Sequence, residues 1–331
     1  MNISDKEQYS KDPYTRNYGA DLIKKMLMKK YAERYTEYRE NWDKAGPNWL
    51  PEYPINLVFD LVDICNLACP QCLRAPDLIK DYDGYIGTKK YLDFEVIKKI
   101  LTESKQYQIP SINIGGSGEC TLHPDFINIC KAIMDVDPCE FRIITNGIKL
   151  DETVAKALID MQVHMLSISI DGFSKETFAK SRGLAHRYDL VVKNTVRFAE
   201  LKKEMNSEWP LLRVSYVEQE SNKHETQDFI DFWSDYAEMV DVQVYHDFRM
   251  EDGFEKNFDC FEPFKRLTVW AYGGAGPCCG FPGIQYNVGD FSKRTIHDIW
   301  HGNEIQRIRD MMLSKDYEIP CLKCQGSRTV V

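Results

Sequence analysis

The sequence lacks any uninterrupted apolar run of the roughly 18 residues that a membrane-spanning helix requires. It also lacks the apolar segment of a secretory signal near its start, and it has no tract rich in Lys and Arg. Its formal net charge of −9 opposes binding to a phosphate backbone, because such binding depends on clustered positive charge. We therefore expect a cytoplasmic protein whose partners include neither a membrane nor a nucleic acid.

What the sequence does have is eleven cysteines among 331 residues. The cytoplasm keeps thiols reduced, so a disulfide framework does not explain this number. Metal binding is the leading explanation. The place of each cysteine in the predicted fold therefore decides which metal site it serves.

Strand-like and helix-like segments alternate along the middle of the chain, which predicts parallel strands with helical connections. The predicted strands lie near 56–63, 111–115, 141–146, 164–171, 211–218 and 240–247. The predicted helices between them lie near 92–106, 125–136, 152–161, 190–205 and 225–236. Six strands indicate an α/β fold class and a partial (β/α)6 barrel, rather than the closed barrel of eight strands.

Two shorter regions flank the barrel, which we place at residues 54–250. Residues 1–53 form a predicted N-terminal helical extension, since apolar side chains recur at helical spacing from 16 to about 44. Residues 251–331 form a predicted small C-terminal domain. In it a hairpin precedes a helix that Thr295 caps and that runs to about Leu313.

Three cysteines follow the first predicted strand: Cys65, Cys69 and Cys72, with the spacing Cys-x3-Cys-x2-Cys. Three thiolates on one tight loop suit a cubane 4Fe-4S cluster, and they leave one iron without a protein ligand. A structural zinc site would need a fourth ligand, and no fourth Cys or His lies nearby in sequence. A zinc knuckle and three unrelated loop cysteines are the alternatives to the cluster.

This spacing resembles the signature of the radical S-adenosylmethionine (SAM) superfamily. The resemblance implies that the amino and carboxylate groups of SAM bind the open iron. It implies further that one electron, delivered by a flavodoxin- or ferredoxin-type reductant, cleaves SAM to a 5′-deoxyadenosyl radical. Members usually carry an aromatic residue just before the third cysteine, whereas this sequence has Gln71.

A glycine-rich run, Gly115-Gly116-Ser117-Gly118-Glu119, ends the second predicted strand, where glycines let a ligand approach the backbone. The run resembles the superfamily's methionine-binding element, which implies SAM contacts from Gly116, Ser117 and Glu119. The acid would hold the amino group of SAM. Without the resemblance, a glycine-rich turn beside an acid is an ordinary turn.

Polar residues also end the third and fourth predicted strands, and ligands bind at the carboxyl ends of parallel strands. By resemblance, Ser169 and Arg182 would bind the SAM carboxylate, with Arg182 in the loop after the fourth strand. Asn146 and Asp171 would line the same pocket, and Val214 on the fifth strand would contact adenine. As single residues they also suit turns and caps or, for Val214, a buried strand.

Four further cysteines, Cys260, Cys278, Cys321 and Cys324, supply the thiolates of a fully ligated 4Fe-4S cluster. With the hairpin and the closing Cys-x2-Cys, they resemble the auxiliary-cluster module called a twitch domain, a shortened relative of the SPASM domain. The resemblance implies one auxiliary 4Fe-4S cluster, since a full SPASM module has more cysteines. A zinc ribbon is the alternative, and Cys279 could replace Cys278 as a ligand.

Other residues are candidates for chemistry on the substrate. Cys120 follows Glu119 and is a candidate catalytic residue that would return a hydrogen atom to a substrate radical; its alternative is a small buried residue. Tyr245 ends the sixth strand and is the second catalytic candidate. Further candidates for substrate contact are His246, Asp247 and Arg249. No role is assigned to Cys130, Cys139, His297 and His301, and the two histidines would need a third ligand to bind a metal.

An auxiliary cluster that accepts an electron predicts a net oxidation. The four-cysteine pattern most resembles the aminocyclitol dehydrogenase branch, which implies oxidation of a secondary alcohol in a small polyol or sugar-like substrate. A peptide substrate is the rival, with cross-linking or with epimerisation in which Cys120 or Cys279 donates hydrogen. Outside this class, an iron-sulfur electron carrier and a zinc-stabilised binding module remain open.

Overall fold

The computed structural model describes residues 15–72, 91–245, 247, 249, 251–280, 283 and 285–325. Within these residues, ten strands form one sheet. The strands are β1 Thr15–Tyr18, β2 Asn56–Phe59, β3 Ser111–Ile114, β4 Glu140–Thr145, β5 Met165–Ser169, β6 Leu211–Glu218, β7 Met239–Val244, β8 Arg266–Val269, β9 Gly274–Gly276 and β10 Gly289–Asp290. Their order across the sheet is β1-β7-β6-β5-β4-β3-β2-β8-β9-β10.

Strands β2 to β7 lie side by side in chain order, and each pairs in parallel with the next. The described helices are Ala20–Tyr31, Glu33–Lys44, Phe94–Gln106, Phe126–Met134, Glu152–Asp160, Lys175–Arg182, Tyr188–Glu204, Thr226–Ser234, Ile296–Trp300, Asn303–Ser314 and Ile319–Gln325. At least one helix lies between each of these six strands and the next, which confirms the α/β class and the partial (β/α)6 barrel. None of the described helices is long and apolar enough to cross a membrane.

The two faces of the barrel strands differ in chemistry, because successive side chains of a strand point to opposite faces. One face packs beneath the helices, where Ile143, Ile168 and Val214 are fully buried in the main hydrophobic core. The other face lines the interior of the half-barrel and is polar, with Arg213 paired to Asp241. The main core therefore lies between strands and helices and leaves the interior to polar side chains.

The N-terminal segment differs from the predicted helical stripe. It begins with β1, which pairs antiparallel with β7, and continues as two helices that break at Ala32, whose φ is 45°. Their buried residues, among them Leu27 and Tyr38, pack with Met165 and Met239 at the amino ends of barrel strands. β1 has four residues and no apolar alternation, so the open edge of β7 explains it better than its own sequence does.

The C-terminal hairpin is continuous with the barrel sheet, because β8 pairs in parallel with β2. β9 then pairs antiparallel with β8, and β10 pairs antiparallel with β9. The helix expected from Thr295 to about Leu313 is instead two helices, Ile296–Trp300 and Asn303–Ser314. The guanidinium of Arg294 donates to the carbonyl of Asp298 at 2.6 Å and satisfies an acceptor near the end of the first helix.

Candidate active site

Asp60, directly after β2, ties the glycine-rich turn to the strand that leads into the triad loop, which we define as residues 65–72. Its carboxylate accepts a hydrogen bond from Ser117 Oγ at 2.7 Å and from the amides of Ser117 and Gly118 at 3.2 and 3.3 Å. Ser117 therefore lies at the predicted edge but is bonded to a carboxylate. Asp60 was not predicted from the sequence, although its place between a strand end and the cysteines was a usable signal.

The glycine-rich turn packs against the chain that enters the triad loop. The Glu119 amide donates to the carbonyl of Ile64 at 2.9 Å. A methyl carbon added at Gly118 would lie 1.9 Å from the carbonyl oxygen of Val62, so this position requires glycine. Gly116 is exposed at the same edge. The first role of Gly118 is thus a close backbone contact that holds the turn beside the cysteines.

Glu119 is buried, and its carboxylate connects the turn after β3 to the end of β4. Oε1 accepts from the Thr121 hydroxyl at 2.5 Å, the Thr121 amide at 3.2 Å and the Thr145 hydroxyl at 2.6 Å. Oε2 accepts from the Asn146 amide at 2.8 Å. The two threonines were not recognised from sequence. Thr145 is distant from Glu119 along the chain, and Thr121 belongs to the short 3₁₀ turn Cys120–Leu122.

Asn146 reaches from the end of β4 to the triad loop. Its Nδ2 donates to Asn66 Oδ1 at 2.7 Å and lies 3.8 Å from Cys65 Sγ. Its Oδ1 accepts from the Ile148 amide at 3.0 Å. The structure therefore brings this predicted residue directly to the first cysteine.

Asp171 and Arg182 form a buried ion pair at the third side of the triad loop. Arg182 Nη2 lies 2.8 Å from Asp171 Oδ2, and the side chains are 13% and 3% exposed. Arg182 Nη1 also lies 3.8 Å from Cys69 Sγ. Burial raises the pKa of the Cys69 thiol to about 11, and the positive charge of Arg182 opposes that rise. A cluster would remove this conflict, because bound cysteines are deprotonated.

The expected loop position of Arg182 is wrong, since Arg182 is the last residue of helix Lys175–Arg182. Gly183 ends that helix with φ 82°, and a methyl carbon added there would lie 2.3 Å from the carbonyl oxygen of Ala68. The helix end therefore rests on the triad loop. Gln71, at the position where an aromatic residue was expected, donates to Asp171 Oδ2 at 3.4 Å.

The side chains of Ser169 and Val214 lie on opposite faces of the sheet. Ser169 Oγ accepts from Ser215 Oγ at 3.2 Å on the interior face. Val214 pairs in register with Ile168 and Val240, and all three are fully buried in the main core beneath the helices. The structure does not bring the Val214 side chain to the interior, which favours the alternative of a buried strand valine.

Cys120 is 2% exposed, and its thiol donates to the carbonyl of Ile144 at 3.2 Å. Burial raises the pKa of this thiol well above its ordinary value. The alternative of a small buried residue therefore gains support. Cys130 and Cys139 are buried as well, the first in the main core and the second beneath the N-terminal helices.

Two residues that follow β7, Tyr245 and Arg249, lie near the carboxyl end of the strand or contact the triad loop. Tyr245 is half-buried at the carboxyl end of β7. Arg249 donates to the carbonyl of Pro70 at 2.6 Å, and its amide donates to Asp247 Oδ1 at 3.0 Å. His246 lies outside the described residues.

A second group of thiols surrounds a cavity of about 290 Å³, which we call the thiol cavity. Its lining includes Cys260, Cys278, Cys279, Cys321 and Cys324. Burial raises the pKa of Cys260 to about 11 and that of Cys321 to about 12. In the described part of the chain no three His, Cys, Asp or Glu side chains are placed to hold a single metal ion. The thiols surround a space instead, and thiolates are the ligands that iron-sulfur clusters use.

Cys278 and Cys279 face different neighbours within the thiol cavity. The charges of Cys324, Cys279 and Cys260 add to burial in raising the pKa of Cys278. Cys279 is exposed, and Arg266 Nη1 lies 3.2 Å from its sulfur. Arg266 was not predicted from the sequence, because nothing there links the first residue of β8 to a cysteine thirteen residues later.

The paired histidines, His297 and His301, lie at the surface. The His301 ring lies 2.9 Å from the carbonyl of Glu52, and the His297 and His301 rings are 4.5 Å apart between centroids. Both side chains are exposed. They remain without an assigned role.

Comparison with known families identifies two regions of the chain. Residues 60–214 match the Radical SAM superfamily, and residues 260–325 match SPASM, an iron-sulfur cluster-binding domain. The first match begins at Asp60 and includes the triad loop and the glycine-rich turn. The second match begins at Cys260 and covers the thiol cavity, which supports iron-sulfur over zinc at that end.

Among curated proteins, a similar relative is the mycofactocin maturase MftC of Mycobacterium tuberculosis (strain CDC 1551 / Oshkosh). It is 31% identical over 140 residues, which are 42% of this chain and 33% of the relative. The GTP 3′,8-cyclase of Limosilactobacillus fermentum is 31% identical over 119 residues, 36% of this chain and 34% of the relative. The aligned part of the chain thus spans about a third of the length of these relatives.

Among solved structures, Streptococcus suis SuiB bound to S-adenosylmethionine superposes with a TM-score of 0.62 at 15% identity, over 88% of this chain and 78% of SuiB. At such identity the likeness concerns the fold alone. It supports the partial barrel at the level of the whole described chain.

Proposed function

The chain belongs to the radical SAM superfamily and uses 4Fe-4S clusters and SAM, and from that premise we propose that it oxidises a substrate carbon by hydrogen abstraction. The observation that carries this proposal is that each of the two matched regions contains one group of cysteines. The first region contains the triad loop, and the second contains the thiol cavity. When bound, one cluster supplies the electron that cleaves SAM to methionine and the 5′-deoxyadenosyl radical, and the other takes up the electron that the oxidised substrate releases. This assignment gives each group of cysteines a separate task.

In this proposal Cys65, Cys69 and Cys72 hold the cluster that binds SAM. The backbone at Gly116 and Ser117, with Glu119, binds the amino end of SAM, and Ser169 and Arg182 bind its carboxylate. Support comes from the triad loop, which Asn146 and Arg182 contact on two sides. Asp171 holds Arg182 in place, because the pair is almost fully buried.

Cys260, Cys278, Cys321 and Cys324 hold the auxiliary cluster in this proposal. These four cysteines line one cavity, and the charges of Cys324 and Cys260 help to raise the pKa of Cys278. A cluster with four thiolates has no open iron and suits electron transfer rather than ligand activation. The fifth thiol, Cys279, then lies beside the cluster with Arg266.

The barrel interior suits a substrate with hydroxyl groups. Ser215 places a hydroxyl there, bonded to the Ser169 that we assign to SAM. Ile144 is 37% exposed although its strand β4 lies between β3 and β5, so its exposure must be to the interior. Deeper in the interior, Arg213 pairs with Asp241 and adds polar groups to the wall. We place a small polyol or sugar-like alcohol here.

In the proposed oxidation, the 5′-deoxyadenosyl radical would take a hydrogen atom from the carbon that bears the hydroxyl, and 5′-deoxyadenosine and a carbon radical would result. The carbon radical would lose the hydroxyl proton to a base. Its electron would go to the cluster that Cys260, Cys278, Cys321 and Cys324 would hold, and the product would be a ketone. Tyr245, at the carboxyl end of β7, is our candidate for the group that handles the proton.

A peptide substrate is the second candidate, and the relative named mycofactocin maturase favours it at 31% identity. SuiB has also been solved bound to a precursor peptide, although its likeness to this chain extends to the fold alone. In a peptide the same hydrogen abstraction would lead to a cross-link or to an epimer.

The first experiment asks whether the chain cleaves SAM. Anaerobically reconstituted protein is incubated with SAM and dithionite, and 5′-deoxyadenosine is quantified by chromatography. We expect formation by the wild type and by Cys130→Ala, whose thiol lies in the core, and none above background by Cys65→Ala. If the wild type forms none, or Cys65→Ala changes nothing, the proposed reaction fails.

The second experiment separates the two substrate classes. The protein is incubated in deuterated buffer with a panel of cyclitols and aminocyclitols and, separately, with a panel of synthetic peptides. Alcohol oxidation gives a ketone with no new carbon-bound deuterium, whereas epimerisation places solvent deuterium on carbon. A flavodoxin or ferredoxin can replace dithionite in the same assay and tests the proposed reductant.

A further inference from the structure

Arg266 places a buried positive charge at the wall of the thiol cavity. It is the first residue of β8, and its side chain is 14% exposed. Its Nη1 lies 3.2 Å from Cys279 Sγ, and its Nε contacts the carboxylate of Glu262. Arg266 lines the cavity together with Cys260 and Cys278. A guanidinium at this position acts on whatever charge the cavity holds.

The N-terminal extension covers the other face of this guanidinium. The Arg266 guanidinium carbon lies 5.0 Å from the centroid of the Trp42 ring, within the range of a cation–π contact. Trp42 belongs to helix Glu33–Lys44, so an element far away in sequence shields Arg266 from water. Lys265 Nζ approaches the same ring at 5.2 Å, but Lys265 does not line the cavity.

We propose that Arg266 is a positioning residue that raises the reduction potential of the auxiliary cluster and thereby makes it a better acceptor of the substrate's electron. The inference rests on the proposed function, because it requires a cluster in the thiol cavity. A reduced cluster carries one more negative charge than an oxidised one, so a nearby positive charge stabilises the reduced state. This effect of charge is strong where water is excluded.

Glu262 opposes this effect only in part. Its side chain is 33% exposed, more than twice the exposed fraction of Arg266, so solvent screens its charge more strongly. The positive charge of Arg266 therefore acts on the cavity more strongly than the negative charge of Glu262 does. Arg266 also keeps Cys279 beside the cluster, while Cys278 takes the ligand position.

The test is an anaerobic redox titration of the full-length chain, followed by electron paramagnetic resonance. The titration uses a background of Cys65→Ala, Cys69→Ala and Cys72→Ala, in which the auxiliary cluster alone contributes the signal. Arg266→Gln removes the charge at similar length and should lower the midpoint potential. Lys265→Gln is the matched control, because it removes the same charge from the neighbouring residue and from the same aromatic ring. We expect a clearly smaller shift for it.

The outcomes separate this inference from the proposed function. If the background chain holds no auxiliary cluster, about four irons per chain are missing and the proposed function itself fails. If the cluster is present and Arg266→Gln leaves its potential unchanged, or shifts it no more than Lys265→Gln does, the role of Arg266 is wrong. Should Arg266→Gln fail to retain the cluster, Arg266→Met is titrated instead, because it also removes the charge at similar length. An unchanged potential in that variant would also overturn the role.

Discussion

The triad loop and the thiol cavity hold their cysteines among different neighbours. Around the triad loop, carboxylates, amides and a guanidinium from four strand ends meet within hydrogen-bond distance of the loop or of each other. Around the thiol cavity, five cysteines share their walls mainly with apolar residues such as Phe258, Ile308 and Met312, and Arg266 with Glu262 supplies the charge.

This difference separates a site built for a polar cofactor from a site built for sulfur alone. In the proposed function the triad loop holds an iron with an open position, which needs groups that bind and orient its ligand, and the polar side chains at the strand ends are the candidates. The fully ligated cluster of that proposal needs thiolates and exclusion of water, for which the thiol cavity is the candidate. The same element, sulfur, is thus used twice with two sets of neighbours.

Removal of one cysteine from each site gives the largest expected effect and tests the separation directly. Cys65→Ala should abolish SAM cleavage and halve the iron from about eight to about four atoms per chain, because one of two clusters is lost. Cys321→Ala should cause the same loss of iron but leave SAM cleavage measurable. Iron and sulfide analysis with the 5′-deoxyadenosine assay checks both variants.

Cys130→Ala is the control, since it removes a buried thiol from the main core and from neither site. It should keep both clusters. If Cys321→Ala and Cys65→Ala lose SAM cleavage equally, the two sites do not have separate tasks and the comparison fails.

The sequence predicted the strands and the cysteines well because their patterns are local. All six parallel strands were located from alternating segments, and the triad follows β2 as expected. The partners of these residues were harder to predict. Asp60, Thr145 and Arg266 act through side chains that are distant in sequence, and no local pattern marks such contacts.

The errors share that cause. β1 exists because β7 has a free edge, and its own four residues show no strand pattern. Arg182 was assigned to a loop because the short helix Lys175–Arg182 has few buried apolar residues to reveal its period. Val214 is buried beneath the helices because the register of β6 fixes its face, and register depends on neighbouring strands.

The ion pair at the triad loop gives the second prediction. Asp171→Asn removes one partner and leaves the Arg182 guanidinium buried without its counter-charge, which should cost about 3–5 kcal/mol of unfolding free energy. Asn suits the backbone, because Asp171 has a φ of 57° and Asn tolerates this left-handed conformation. Denaturant unfolding under anaerobic conditions measures the change.

The control lies on the helix that carries Arg182, the partner of Asp171. Glu176→Gln breaks the pair with Lys180, in which the side chains are 77% and 52% exposed. Solvent screens that pair, so unfolding should not change measurably. Equal losses in the two variants would show that the polar contacts at the triad loop contribute no more than surface contacts do.

The close approach of the glycine-rich turn gives the third prediction. Gly118→Ala places a methyl group against the carbonyl of Val62, and the backbone must shift to relieve the clash at a cost of about 1–3 kcal/mol. The iron of the triad site should become labile to chelators, whereas the auxiliary cluster should not. Gly46→Ala is the control, because its added carbon would meet only Phe261 at 3.6 Å. Equal chelator sensitivity of the two clusters in Gly118→Ala would contradict the local effect.

The smallest effect compares the triad loop with the opposite end of the barrel, where His164 is buried beneath the N-terminal helices. His164 Nδ1 accepts from the Phe141 amide at 2.9 Å, so the neutral ring carries its proton on Nε2, 2.9 Å from the Tyr31 hydroxyl. Burial lowers the pKa of His164 to about 3, and the nearby charge of Lys30 lowers it further in the same direction. The native state therefore keeps this ring neutral in mild acid.

The unfolded chain binds a proton at this ring below about pH 6.5, whereas the native chain does so only near pH 3. The stabilisation is thus complete above pH 6.5 and is lost as the pH falls from 6.5 toward 3. Between pH 7.5 and 5.5 the loss should be about 1 kcal/mol. Denaturant unfolding of the wild type and of His164→Gln over this range measures it, and the variant should lose that share of the pH dependence. His224→Gln, at a side chain that is 66% exposed, should behave as the wild type does. If His164→Gln keeps the full wild-type pH dependence, acid weakens the sulfur sites rather than the N-terminal packing, and the two ends of the barrel do not differ in this respect.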